Sequence, residues 1–160
     1  MNKKPLFNIV LYTPEIPGNT GSIGRTCVAL GLQLILIKPL GFDLSEKAVR
    51  RAGLDYWKHV DLIEYNSWDD FIANENPHTE QLFLFSKNAT QTYFKANFKA
   101  DDYLVFGAET KGLPQELFDS FEGRFYSLPQ YSEHIRSLNL ANTATAVAYE
   151  ALRQIKFNTA

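Results

Sequence analysis

Cysteine is nearly missing from this sequence: Cys27 stands alone, so neither an intrachain disulfide nor a four-thiolate metal site can form, and nothing points to a secreted scaffold. Histidine is scarce as well. His59, His78 and His134 sit in three unrelated contexts without metal-ligand spacing, so no metal is expected. No stretch approaches the roughly eighteen continuous apolar residues of a membrane span. Asn8 interrupts the short apolar run Leu6 to Tyr12, and Thr13-Pro14-Glu15 follows without the small-residue cleavage site of a signal peptide. An excess of positive charge is also lacking: 16 Lys and Arg against 18 Asp and Glu give a net charge of −2, which argues against a broad cationic surface for non-specific nucleic-acid binding. What these absences leave is a cytoplasmic enzyme or binding domain, soluble and with no membrane partner.

What is present is a globular composition, 45% hydrophobic and 14% aromatic over 160 residues, with no repeat, low-complexity tract or linker. Residues 1–160 are therefore read as a single domain. Charge is unevenly spread, residues 1–60 carrying eight basic and four acidic side chains and residues 61–160 eight and fourteen. A polyanion would meet the first third of the chain. Short β-rich runs alternate with helical patterns: strands are predicted over Leu6–Tyr12, Leu32–Ile37, Val60–Tyr65, Gln81–Phe85, Tyr103–Gly107 and Arg124–Leu128, and helices over Thr20–Leu30, Ser45–Ala52, Ser67–Glu75, Pro114–Phe121 and Ser137–Lys156. This is the pattern of an α/β protein, a mostly parallel sheet with helices on both faces. In the final helix, alanines 141, 144, 146, 148 and 151 are read as spread around the circumference. Either the helix is packed twice inside one domain, or one face covers the sheet and another meets a second subunit.

Three segments follow strands, and a parallel sheet would bring them to one edge, where ligands sit in such folds. The first, Pro14 to Thr26, enters the first helix with Asn19 or Thr20 as its expected cap, an anion-favouring helix terminus, and Arg25 about one and a half turns on. Its glycines, Gly18, Gly21 and Gly24, are not in dinucleotide-binding spacing, and Ile37-Lys38-Pro39 ends the second strand where a ribose-binding acid would be wanted, so NAD is a minor alternative. The second segment runs from Phe106 to Pro114, a tight path that presses main-chain amides against a flat ligand. The third runs from Leu128 to Asn139, with Ser137 as the expected cap of the last helix. Arg50, Arg51 and Lys58, with Tyr56 and Trp57, form the best RNA-contact candidate: cations engage phosphates and aromatics stack on a splayed base. A solvated helix face over core aromatics fits those residues equally well. Cys27, among Val28, Ala29 and Leu30, reads as a buried thiol.

Asn19 with Arg25, Gly107-Ala108-Glu109-Thr110-Lys111-Gly112-Leu113-Pro114, and Ser137-Leu138-Asn139-Leu140-Ala141-Asn142 together resemble the three motifs of the SPOUT methyltransferases. Pro39-Leu40-Gly41-Phe42-Asp43 and Arg50-Arg51-Ala52-Gly53-Leu54-Asp55-Tyr56 are similar to the short, single-domain TrmL (YibK) branch of the 2'-O-ribose methyltransferases, whose members modify the wobble nucleotide, position 34, of leucine tRNAs. The resemblance implies a SPOUT fold with a C-terminal deep trefoil knot, although generic topology rules argue against knots, and a homodimer. It also implies S-adenosylmethionine as methyl donor, leaving as S-adenosylhomocysteine, held by Leu84, Gly107, Leu128, Ser137 and Leu138 largely through main-chain contacts. Family members often carry proline and serine where this chain has Ala108 and Ala141, small changes that touch fine geometry and not the reaction.

The implied substrate is tRNA, met at its anticodon loop, and the implied catalytic residues are Arg25 and Asn19. A guanidinium is a very weak acid, so Arg25 is assigned to positioning the ribose and stabilising the developing alkoxide, with an RNA phosphate or a water accepting the proton. Asn19 holds ribose or orders its loop. Glu109 and Asn139 brace loops or contact substrate, and for Glu109 a structural carboxylate accepting backbone N–H bonds fits equally well. Two other readings compete: a non-catalytic RNA-binding dimer, disfavoured by the intact Arg25, and a nucleotide-binding oxidoreductase, disfavoured by the missing acid after the second strand.

Overall fold

The computed structural model describes residues 3–45 and 56–158. Every apolar run predicted as a strand forms one, trimmed at its ends: β1 (Asn8–Tyr12), β2 (Gln33–Ile37), β3 (Asp61–Tyr65), β4 (Leu82–Phe85), β5 (Tyr103–Phe106) and β6 (Phe125–Tyr126). All pairings are parallel, in the order β3-β2-β1-β5-β4-β6. Parallel strands buried on both faces carry apolar residues at consecutive positions, and alternate ones point to opposite sides. Accordingly Ile9, Leu11, Leu34, Leu36, Leu104 and Phe106 enter one core while Val10, Ile35, Ile37, Leu84 and Val105 enter the other. Fully burying one such side chain stabilises by about 1.5–3 kcal/mol.

Among the described residues, four helices cover the two faces. α1 (Pro17–Leu30) and α4 (Leu140–Phe157) supply Ile23, Cys27, Ala144, Val147, Ala148 and Ala151 to the first core; α2 (Trp68–Glu75) and α3 (Gln115–Ser120) supply Phe71 and Leu117 to the second. Cys27 is the buried thiol expected, its ionisation pushed up to about 12 by desolvation. Local signals place the ends. Pro17 occupies the first turn of α1, and Gly31, left-handed at φ 68°, closes it. Ser67 caps α2 by accepting the Asp70 N–H at 3.0 Å, and Asn76 at φ 48° stops it. The helix predicted over Ser45–Ala52 falls, beyond Ser45, outside the described residues, as do Arg50 and Arg51.

Three expectations need correction. Neither Asn19 nor Thr20 caps α1: the helix starts earlier than the predicted Thr20 because proline favours the first turn, its cap position is Ile16, and Gly18 joins Gly21 and Gly24 inside the helix. Ser137 does not cap α4; Asn139 does, its side-chain oxygen accepting the Asn142 N–H at 3.1 Å. The alanines of α4 are not spread round the helix, since Ala141, Ala144, Ala148 and Ala151 form one buried stripe and Ala146 alone is exposed. No helix among the described residues is long and apolar enough to cross a membrane.

Candidate active site

Strand order reverses between β1 and β5, because β1 continues to β2 on one side while β5 leads to β4 on the other. In parallel α/β sheets the crevice beyond the carboxyl ends of the strands at such a point receives ligands. A cleft of about 670 Å³ opens there. Its walls come from Phe85–Asn88 after β4, Phe106–Leu113 after β5, Ser127, Leu128 and Gln130 after β6, and Arg136–Leu140 leading into α4.

Glu109 organises the crevice. One carboxylate oxygen accepts the Glu15 N–H at 2.8 Å; the other accepts the Ile16 N–H at 2.8 Å and the Asn19 side-chain amide at 3.2 Å. The anion that the start of α1 attracts is thus the chain's own carboxylate, seated where unpaired N–H groups and the helix dipole favour negative charge. The clasp is reciprocal. Glu15 accepts the N–H and the hydroxyl of Thr110, each at 2.8 Å, and these bonds hold its carboxyl below the ordinary carboxylate range. Asn19 extends the chain of bonds: its oxygen accepts from the Asn139 amide at 3.2 Å, and Asn139 in turn caps α4. One continuous network therefore joins all three segments singled out in the sequence. The braces among them are Glu109, Asn19 and Asn139, while Glu15 and Thr110 were given no role by sequence reasoning. The only signal for the clasp was two carboxylates, Glu15 and Glu109, one in each of two facing loops.

Close backbone packing fixes the paths of the loops around the cleft. A Cβ on Gly107 would lie 2.3 Å from the Gly112 carbonyl carbon and 2.5 Å from the Leu113 nitrogen, so only glycine is accommodated. Gly41 has the same role beside the first loop: its N–H donates to Pro14 O at 2.9 Å, and a Cβ there would meet the Glu15 backbone at 2.9 Å.

Of the residues expected to hold the methyl donor, Gly107, Leu128, Ser137 and Leu138 line the cleft. Leu84 does not; its side chain is fully buried in the opposite core, and the next residues, Phe85 and Ser86, line the cleft in its place. Asn19 lines the cleft, whereas Arg25 stands outside it on the exposed side of α1. The Arg25 guanidinium lies 5.1 Å from the centre of the Tyr56 ring and, among the described residues, makes no hydrogen bond or ion pair. Lys58 is exposed on the short 3₁₀ turn Trp57–His59; Trp57 is no free stacking platform, because it packs on the core with its ring over Gly24. His59, His78 and His134 are exposed.

These features define a parallel α/β protein with a ligand cleft at the topological switch point and a solvent-facing arginine on the helix beside it. The profile of the SpoU rRNA Methylase family matches residues 6–149, and the chain belongs to that family. A tRNA (cytidine(34)-2'-O)-methyltransferase of Saccharophagus degradans is 44% identical over 156 residues, covering 95% of this chain and 97% of the relative. The protein of the same description from Burkholderia cenocepacia is 42% identical over 153 residues, with coverage of 95% and 97%. Among solved structures, one described by the 2-OH methylation of C/U34 on tRNA is 44% identical and superposes with a TM-score of 0.86 over 92% of this chain and 95% of that one. An AdoMet-bound rRNA methyltransferase from Sinorhizobium meliloti is 26% identical, TM-score 0.82, matching 95% of this chain but 57% of its own.

Proposed function

We propose that this protein is an S-adenosylmethionine-dependent methyltransferase acting on the ribose 2'-hydroxyl of the wobble nucleotide, cytidine or modified uridine 34, in leucine tRNAs. The observation that carries the reading is the bond network from Glu109 through Asn19 to Asn139, which makes the glycine-walled cleft and the helix bearing Arg25 parts of one rigid site. Similarity to relatives described as C34 methyltransferases over nearly the whole chain supports the substrate.

The cleft fits the methyl donor: Gly107 keeps its backbone bare where a side chain has no room, and Leu128, Ser137 and Leu138 offer main-chain groups and small or apolar surfaces. S-adenosylmethionine supplies an electrophilic methyl group when bound. Arg25, with its donors free, positions the ribose and stabilises the alkoxide as the hydroxyl proton leaves to a phosphate oxygen or a water. Asn19, engaged on both sides of its amide, orders the first loop. Arg50, Arg51 and Lys58 receive the anticodon-loop phosphates. The chain works as a single domain in the cytoplasm, with its C-terminal segment threaded as a deep trefoil knot, and pairs as a homodimer through the groove that Thr145 and Ala146 of α4 form with Ser22 and Thr26 of α1, which leaves Arg25 open to the tRNA.

Calorimetry and single-turnover kinetics test the reading together. S-adenosylhomocysteine binds while NADH and ATP do not. Arg25→Ala keeps that affinity and slows methyl transfer by about 10²- to 10³-fold at saturating tRNA, the cost of one stabilising group. NADH binding without a response to S-adenosylhomocysteine contradicts the cofactor assignment; an undiminished Arg25→Ala rate contradicts the catalytic one.

A further inference from the structure

Arg25 is free of hydrogen bonds and ion pairs among the described residues, yet a long exposed side chain on a helix samples many rotamers. One contact restrains it. The Tyr56 ring lies 5.1 Å from the guanidinium carbon, within the range in which the negative face of an aromatic ring attracts a cation. The ring is itself held. Tyr56 precedes the 3₁₀ turn Trp57–His59, whose last N–H groups return to Tyr56 O and Trp57 O at 2.8 and 3.1 Å. Trp57 is seated on α1 at Gly24, the residue before Arg25, where a Cβ would fall 2.7 Å from its ring. The absence of a side chain at position 24 thus lets the turn approach α1 closely enough for its neighbour's ring to reach Arg25.

From this geometry we infer that Tyr56 is a positioning residue for methyl transfer: its ring holds the Arg25 guanidinium in place while leaving all five N–H donors for ribose and phosphate. A carboxylate partner would fix the arginine equally well but would occupy those donors and offset the charge that the developing alkoxide needs; an aromatic face does neither. The inference rests on the catalytic assignment of Arg25 made above.

The test replaces Tyr56 by phenylalanine and then by phenylalanines bearing one, two and three ring fluorines, which keep the shape while withdrawing electrons from the face. Single-turnover methylation at saturating tRNA falls stepwise through the fluorinated series, and Tyr56→Leu loses roughly 3- to 30-fold, the range spanned by exposed to desolvated cation–π contacts. Tyr56→Phe restores most of the rate, and S-adenosylhomocysteine affinity stays constant throughout. Independently of activity, the side-chain N–H resonance of Arg25 in the free protein carries a ring-current shift that disappears in Tyr56→Leu. A flat fluorinated series alongside a slow Arg25→Ala enzyme overturns this inference alone. Weakened tRNA binding with an unchanged saturated rate overturns it too, making Tyr56 a base-stacking platform. An unshifted Arg25 resonance shows that the contact does not form, whatever the enzyme does.

Discussion

Glu109 shows how one side chain serves loops ninety or more positions apart in sequence: its carboxylate satisfies two backbone N–H groups ahead of α1 and the Asn19 amide. Glu109→Ala leaves those donors without a partner. The expected cost is about 1–3 kcal/mol per unsatisfied buried group, less where water reaches it, seen as a lowered Tm together with weakened S-adenosylhomocysteine binding. A Tm unchanged from the parent would show that the clasp does not stabilise the fold. Asp102 sits at the other end of the sheet, 4% exposed, its carboxylate accepting the Lys99 N–H at 2.7 Å. Burial pushes its ionisation from 3.8 up to about 6 against the opposing pull of that bond and of Arg124. The folded state therefore holds this proton more tightly than the unfolded chain, so this group makes stability fall as pH rises from about 4 to about 6, with no further loss above. Asp102→Asn keeps an acceptor for Lys99 and flattens that window, raising Tm at neutral pH relative to the parent; thermal melts between pH 4 and 8 check it.

At the scale of elements, α4 separates two tests that the alanine pattern alone confuses. Ala148 is fully buried against the sheet, so Ala148→Asp buries a charge without a partner and unfolds the protein rather than reporting on association. Ala146 is exposed and lines a groove of about 630 Å³ with Ser22, Thr26 and Thr145, where the Thr26 and Thr145 hydroxyls meet at 2.8 Å. Ala146→Arg should leave the fold intact and shift the proposed dimer to the 18.2 kDa monomer in sedimentation; a dimer that survives it places the interface elsewhere. The strands were legible because central parallel strands buried on both faces write apolar runs and the edge strand β3 keeps a β-rich one around its exposed Asp61 and Glu64, so that β1 to β6 each fall inside a predicted strand. The caps were not. Ser137 precedes the helix pattern as a good cap should, but Asn139 lies nearer and is itself held by Asn19, a residue 120 positions away. The start of α1 failed for the same reason: Pro17 and the distant Glu109 decide it, and local propensity sees only the first.

For the whole molecule, sequence order and spatial order part company at the site. The three segments that resemble methyltransferase motifs meet because an all-parallel sheet sends every strand end the same way, and that was legible from strand–helix alternation. Which groups would touch there was not, since the Glu109–Asn19–Asn139 chain depends on how α1, β5 and α4 are set against one another. Arg25 stays outside the cleft while Asn19 faces it, an arrangement suited to a large substrate that approaches α1 from solvent and reaches inward with one hydroxyl. Under the proposed function this reach ends in methyl transfer to one ribose. The most direct measurement incubates unmodified leucine tRNA with the protein and methyl-labelled S-adenosylmethionine, then locates the label by mass spectrometry of nuclease fragments and nucleosides. A single 2'-O-methyl group on nucleotide 34 is expected; label on a base, at another position, or on no nucleotide at all rules the proposed reaction out.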